Sequence, residues 1–195
     1  MRSFSTLAIV VGILAVALIA GCSSYNGFVD AEENVEQVWS DVETQYQRRS
    51  DLIPNLVNTV KGAAEFERGT LEAVTEARAK ASSININAED LTPEMLEQYQ
   101  AAQAQISSGL GRLLATAEAY PQLQSNQQFQ ALQDELAGTE NRIAVARSRF
   151  NETATEYNKQ VRRFPGAVFA TVFGFEQKPQ FQAEAGAQNA PTVEF

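Results

Sequence analysis

A heptad repeat in the C-terminal half of the chain limits the possible fold most strongly. Large apolar residues recur at intervals of seven: Phe129, Leu136, Ile143, Phe150, Tyr157 and Phe164. A seven-residue period keeps one apolar stripe facing a neighbouring helix and is typical of left-handed helix packing. The repeat therefore predicts one long helix that packs along its whole length against other helices.

Two more apolar stripes with helical spacing precede this repeat. One runs from residue 35 to residue 81 with Pro54 inside it, and the other follows Thr92 and Pro93, which suit a helix N-terminus. Proline deprives the carbonyl of Ser50 of its partner, so Pro54 is expected to bend or break the first helix. Short connecting loops favour antiparallel neighbours. We therefore predict an all-α fold: an antiparallel bundle of three long helices, four if the first breaks at Pro54, with a short C-terminal helix and an extended tail.

Local signals also place the ends of the last long helix. Ser125 and Gln128 have the spacing of a capping box, and Pro165-Gly166 is typical of a helix end. Gly138 lies in the helix interior, where glycine costs about 1 kcal/mol relative to alanine. Its presence there predicts a close approach by another helix.

The first 21 residues have the layout of an export signal or a membrane anchor. Arg2 precedes an apolar run over residues 7–19, which ends in small residues before Cys22. This ending is similar to a bacterial lipobox, in which the cysteine is lipidated and becomes the first mature residue. The alternative is an uncleaved single-pass span, which needs about 20 apolar residues. We predict Cys22 as the lipidation site, and a bundle on the non-cytoplasmic side of the cell membrane or the outer membrane.

Four segments follow from these patterns. Residues 1–21 are the signal peptide or anchor, 22–30 a tether, 31–175 the helical bundle, and 176–195 a polar C-terminal tail. The net charge of −9 predicts that the bundle stands off anionic lipid, with the bilayer contacted through the N-terminus alone.

Composition excludes several functional classes. The chain has no histidine and a single cysteine, which excludes His-dependent zinc sites, Ser-His-Asp triads and an intrachain disulfide. Its acidic charge argues against a nucleic-acid partner. Gly-rich phosphate loops and metal-ligand spacings do not occur in the sequence. We therefore predict no catalytic residue, no metal and no cofactor.

Arg49 is the most informative charged residue. Its row in the first helix is otherwise apolar, and a charge buried there must meet an acid or lose several kcal/mol. Glu140 lies beside the apolar row of the last long helix and is the predicted partner. The hypothesis is an ion pair that sets the register of the two helices.

The residues around Arg49 are the predicted partner-binding surface, because a proline kink exposes backbone groups there. The candidate residues are Arg48, Arg49, Asp51, Pro54, Asn55 and Lys61. Arg48 and Asp51, three residues apart, can pair along the helix or form a solvated face.

Several long motifs resemble those of the LemA family. They are residues 25–61, 76–80, 118–121, 133–147, 157–158, 163–166, 173–175 and 193–195. The resemblance implies a bacterial envelope protein with an N-terminal membrane anchor, a helical bundle outside the cytoplasm and no established catalytic activity. The cysteine after the apolar run departs from the plain transmembrane span that many members carry.

The function predicted from these observations is that of a non-catalytic, membrane-anchored scaffold or adaptor for another envelope or membrane protein. One alternative is an enzyme or accessory factor acting on envelope polymers, which requires convergent acids in a cleft. A passive structural spacer is the other alternative.

Overall fold

The computed structural model describes residues 2–62, 67–84, 86–88 and 91–182, and these form helices without any strand. The helices are α1 (Arg2–Lys61), α2 (Arg68–Ser82), α3 (Pro93–Ala117), α4 (Pro121–Gln124), α5 (Gln127–Arg162) and α6 (Gly166–Phe173). The prediction of an all-α fold is confirmed.

Helices α1 and α5 form the largest packing contact, and α2 packs mainly on α3. The α1–α5 contacts run in opposite chain directions. Trp39 stacks edge-on against Phe150 at 5.4 Å between ring centroids, whereas Arg49, farther along α1, meets Glu140, earlier in α5. This helix pair is therefore antiparallel.

The first apolar stripe is interrupted at a different place from the one predicted. Helix α1 continues through Pro54 to Lys61, and α2 begins only at Arg68. Gly62 directly follows α1, and glycine is a poor helix former. The stripe is thus divided into two helices after Lys61, and neither an unbroken helix to the early eighties nor a break at Pro54 is correct.

Residues 22–30 also differ from the predicted tether, because they are helical and continuous with α1. Phe28 is buried and packs against the ring of Phe175 at 5.1 Å. Tyr25 makes an edge contact with Phe173 at 5.2 Å. These aromatic contacts hold the segment against the region of α6.

The ends of α5 correct two further predictions. Asn126, not Ser125, is the N-cap, and its side-chain oxygen accepts hydrogen bonds from the backbone N–H groups of Gln128 and Phe129. The Ser125 hydroxyl instead donates to the carbonyls of Pro121 and Gln122, the first two residues of α4. Because α5 ends at Arg162, the last heptad position, Phe164, lies beyond the helix and is 87% exposed.

The close helix approach occurs at Gly109 of α3 rather than at Gly138. A Cβ on Gly109 would lie 3.1 Å from the Val74 side chain of α2, whereas one on Gly138 would meet only Arg142 of its own helix. The prediction for Gly138 was wrong because a partly exposed helix position also tolerates glycine, at the cost of some helix stability.

Two apolar clusters make up the core. The first surrounds the end of α1 with α2 and α3 and includes Leu56, Val74 and Phe129. The second surrounds the earlier part of α1 and includes Trp39 and Phe150. In both α1 and α5 the polar residues discussed next lie between these two clusters.

Candidate functional site

Arg49 is held at the centre of the bundle by side chains from three helices. Its residue is 1% exposed. Nη1 lies 2.8 Å from Oε1 of Glu140 on α5 and donates to Ser107 Oγ on α3 at 2.7 Å. Nη2 donates to Oε1 of Gln103 at 2.6 Å and to its backbone carbonyl at 3.1 Å. The guanidinium carbon lies 5.2 Å from the Tyr46 ring centroid.

The structure thus brings Arg49 and Glu140 together, and it adds two α3 residues that the sequence argument missed. Gln103 and Ser107 are one helical turn apart in a stripe whose other members are apolar. Polar residues at such positions could have indicated hydrogen-bond partners for a buried charge. Glu140 keeps 44% of its side chain exposed, so only the cation of this pair is fully desolvated. Multiple neutral acceptors lower the cost of burying that cation.

The backbone donor that Pro54 lacks is replaced by a side chain from another helix. Because proline has no N–H, the carbonyl of Ser50 loses its normal partner within α1. Arg78 of α2 donates from Nε to that carbonyl at 2.9 Å. A side-chain donor thus replaces the missing backbone donor, which explains how α1 continues through Pro54.

Arg48 does not pair with Asp51. It instead reaches α5, where Nη2 lies 2.8 Å from Glu135 Oε1, with roughly half of each side chain exposed. Asp51 accepts a hydrogen bond from Gln47 Nε2 at 2.8 Å. The i,i+3 pair is lost because the longer Arg48 side chain finds a carboxylate on the neighbouring helix.

An open groove of about 870 Å³ lies between α1, the end of α2 and α3. Three of the six predicted partner-binding residues, Arg48, Asp51 and Asn55, line it, whereas Pro54 and Lys61 are exposed elsewhere on α1. Arg49 lines a separate cavity of about 460 Å³ with Glu140 and other residues of α3 and α5. The predicted surface is therefore divided between two faces of α1.

Glu43 is a groove residue that sequence reasoning missed. Burial raises the pKa of its carboxyl above the usual value. The Ser50 hydroxyl, which also lines the groove, is buried without a hydrogen-bond partner among the described residues. Neither residue stands out in the sequence.

The first part of the predicted tail, residues 176–182, packs on α5 and is called the strap here. Asn158 donates to the carbonyl of Lys178 at 2.8 Å and accepts from its N–H at 2.9 Å. Asn151 binds the backbone of Phe181 in the same two-way manner at 2.9 and 2.8 Å. Lys178 Nζ also lies 2.7 Å from Glu32 Oε1. Residues 183–195, including Phe195, lie outside the described residues.

Comparison with known proteins places these features in a family. The LemA family model matches residues 38–195, most of the chain. The chain belongs to the LemA family. The match includes Arg49, the groove and the strap, but begins after the apolar run.

Relatives of this LemA family member include two magnetosome proteins. MamQ 2 of Paramagnetospirillum magneticum and MamQ of Magnetospirillum gryphiswaldense are each 28% identical over 87% of this chain and 68% of their own. Protein LemA of Metamycoplasma hominis is 24% identical over 71% of this chain and 60% of its own. These names denote no catalytic reaction.

The N-terminal part of this family member is apolar enough to span a membrane. An 18-residue window in α1, near the N-terminus, has a mean hydropathy of 1.9 and is 6% buried. Cys22 is exposed and has a free thiol directly after this part of the helix. The position is compatible with lipidation and with a plain span.

Proposed function

We propose that this protein is a non-catalytic, membrane-anchored envelope scaffold whose groove beside Pro54 binds a segment of another envelope protein. The observation that supports this proposal most directly is the groove, which has a volume of about 870 Å³ and is bordered by three helices. That volume lies within the usual range of about 300–1,000 Å³ for binding clefts. Membership of the LemA family and the apolar N-terminal helix support the anchored part of the proposal.

The composition of the groove suits a polypeptide. Arg48 and Asp51 supply charges of both signs at the rim, and Ile84 and Ile106 supply apolar surface. The buried Ser50 hydroxyl adds a polar group whose hydrogen-bonding capacity the described residues leave unused. In this proposal α5 runs antiparallel to α1, and the Arg49–Glu140 pair sets the register of these two helices.

Site-specific photocrosslinking in cells tests the groove. A benzophenone amino acid at Asn55, which lines the groove, is expected to give one dominant adduct with an envelope protein. The same substitution at Asn58, exposed on α1 but outside the groove lining, is the matched control. Arg48→Glu should remove the Asn55 adduct without altering the circular dichroism spectrum.

Two results would reject the groove as the binding surface: no adduct at Asn55, or identical adducts at both positions. If neither position gives an adduct with a specific partner, the passive spacer is favoured. Hydrolysis of purified envelope polymers by the full-length chain would favour the enzymatic alternative instead.

The proposal includes a lipidated Cys22 on the non-cytoplasmic side of the membrane. Intact mass measurement of the membrane-extracted protein is expected to show a chain that begins at Cys22 and carries acyl groups. Cys22→Ser should leave residues 1–21 attached. An unprocessed wild-type chain would establish the single-pass span.

A further inference from the structure

The corner formed by α6 and the residues before it exposes an unusual amount of apolar surface. Phe164 is 87% exposed, Val172 71% and Val168 54%. Val168 and Val172 are four residues apart and share one face of α6. In the described part of the chain beyond the N-terminal run, the other exposed large apolar side chains are Tyr25 and Phe173, at the same corner, and Val145 on α5.

The same corner lies directly after the apolar run of α1. Phe169 of α6 is so close to Gly21 that a Cβ there would lie 3.3 Å from its ring. Tyr25, one turn later, contacts the Phe173 ring. If the apolar run occupies a bilayer, the residues that follow it lie at the headgroup level, and α6 is held beside them.

A basic cavity adjoins this apolar corner. Lys159, Arg162 and Arg163 line a cavity of about 580 Å³ with Thr155, Asn158, Gln177 and Gln180. No acidic residue is among these lining residues of the described chain. These three basic residues lie within five positions of the chain, so the charge at this cavity is positive. The whole chain, by contrast, has a net charge of −9.

We propose that this corner is a second membrane contact, in which α6 seats on the bilayer surface and the basic cavity binds the phosphate of an anionic phospholipid headgroup. Apolar side chains beside a basic cluster are the combination that binds such interfaces, because burial of the first and attraction of the second act together. The prediction that the helical bundle stands off anionic lipid was based only on the net charge of the whole chain. The cavity beside α6, which is lined by Lys159, Arg162 and Arg163, has the opposite sign. This inference rests on the proposed N-terminal anchoring.

Nitroxide depth measurements on the full-length chain in lipid nanodiscs test the proposal. The background carries Cys22→Ser, so that a single introduced cysteine is labelled. A label at Val172→Cys is expected to be accessible to oxygen and shielded from a water-soluble nickel complex. Val145→Cys, an exposed valine on α5 away from the anchor, is the matched control and should show the opposite accessibility.

A label at Val11→Cys separates failure of the anchor from failure of the second contact. Immersion at position 11 together with water exposure at position 172 would overturn the seating of α6 and leave the anchor intact. Water exposure at both positions would overturn the anchoring as well.

The headgroup site is tested by lipid composition. Replacing one third of a zwitterionic lipid by phosphatidylglycerol should deepen the label at position 172, and Arg162→Glu/Arg163→Glu should abolish that response. Arg149→Glu, a charge reversal at an exposed α5 arginine that does not line the cavity, should preserve it. An equal response in the background protein, in Arg162→Glu/Arg163→Glu and in Arg149→Glu would overturn the lipid headgroup as the ligand.

Discussion

Two buried cations, Arg49 in the bundle and Lys178 on the strap, are each paired with a partly exposed glutamate. Arg49 pairs with Glu140 at 2.8 Å and Lys178 with Glu32 at 2.7 Å. Arg49 interrupts a periodic apolar row, whereas Lys178 lies in an extended segment without a period. The difference teaches that a buried charge is visible in sequence only where its neighbours are periodic.

We expect the Arg49–Glu140 pair to affect the global free energy of unfolding, and the Lys178–Glu32 pair not to affect it. Glu140→Ala leaves the buried Arg49 guanidinium without its carboxylate and should lower the free energy of unfolding by about 2 kcal/mol. Urea unfolding of the full-length chain in detergent measures this. Arg49→Met/Glu140→Ala should recover most of the loss, because an apolar side chain then replaces the charge. Unchanged stability in Glu140→Ala would contradict a structural role for the pair.

Arg78 supplies a second cross-helix interaction within the bundle, and its removal should cost less. Arg78→Met leaves the Ser50 carbonyl unsatisfied, for an expected loss of about 1–1.5 kcal/mol. With Pro54→Ala the backbone N–H returns, so Arg78→Met should then cost almost nothing. A double-mutant cycle by urea unfolding measures this coupling, and additive losses would show that Arg78 does not compensate for the proline.

On the strap, loss of contacts should open residues 176–182 locally. Asn151→Leu removes both hydrogen bonds to the Phe181 backbone, and amide exchange of the strap should rise about tenfold. Glu32→Ala should accelerate the same amides to a smaller extent. Hydrogen exchange with mass spectrometry measures both variants, with Asn141→Leu on the exposed face of α5 as control. A fall in global stability equal to that of Glu140→Ala would remove the distinction between the two regions.

The smallest expected effect concerns the groove. Burial raises the pKa of Glu43, so the folded state binds its proton more tightly than the unfolded chain does. The ionised carboxylate therefore destabilises the fold at neutral pH, and this cost disappears as the pH falls through the raised pKa. Glu43→Gln should stabilise slightly at pH 7 and have no effect near pH 3. Urea midpoints at the two pH values measure the difference, and a loss at pH 7 would contradict desolvation as the cause.

The parts of the fold that could be predicted are those with a periodic or local sequence pattern. The heptad row of α5 and the cap residue Thr92, which accepts from the Met95 N–H, are local signals that the structure reproduces. The sequence could not place the interruption after Lys61, because proline is a stronger helix breaker than glycine. The donor that lets α1 continue through Pro54 comes from Arg78, 28 residues from Ser50. A hydrogen bond between residues of two different helices cannot be predicted from the sequence pattern of one helix alone.

By itself, the sequence determined the helical class, the apolar N-terminus and the need for an acid near Arg49, since each follows from local composition or spacing. Only the tertiary structure decided that Gln103 and Ser107 share that arginine, that the strap docks on Asn151 and Asn158, and that Phe164 leaves its heptad row for the surface. The physical reason is common to all three. Each depends on backbone and side-chain groups that are distant in sequence, and their distances exist only after the helices have packed.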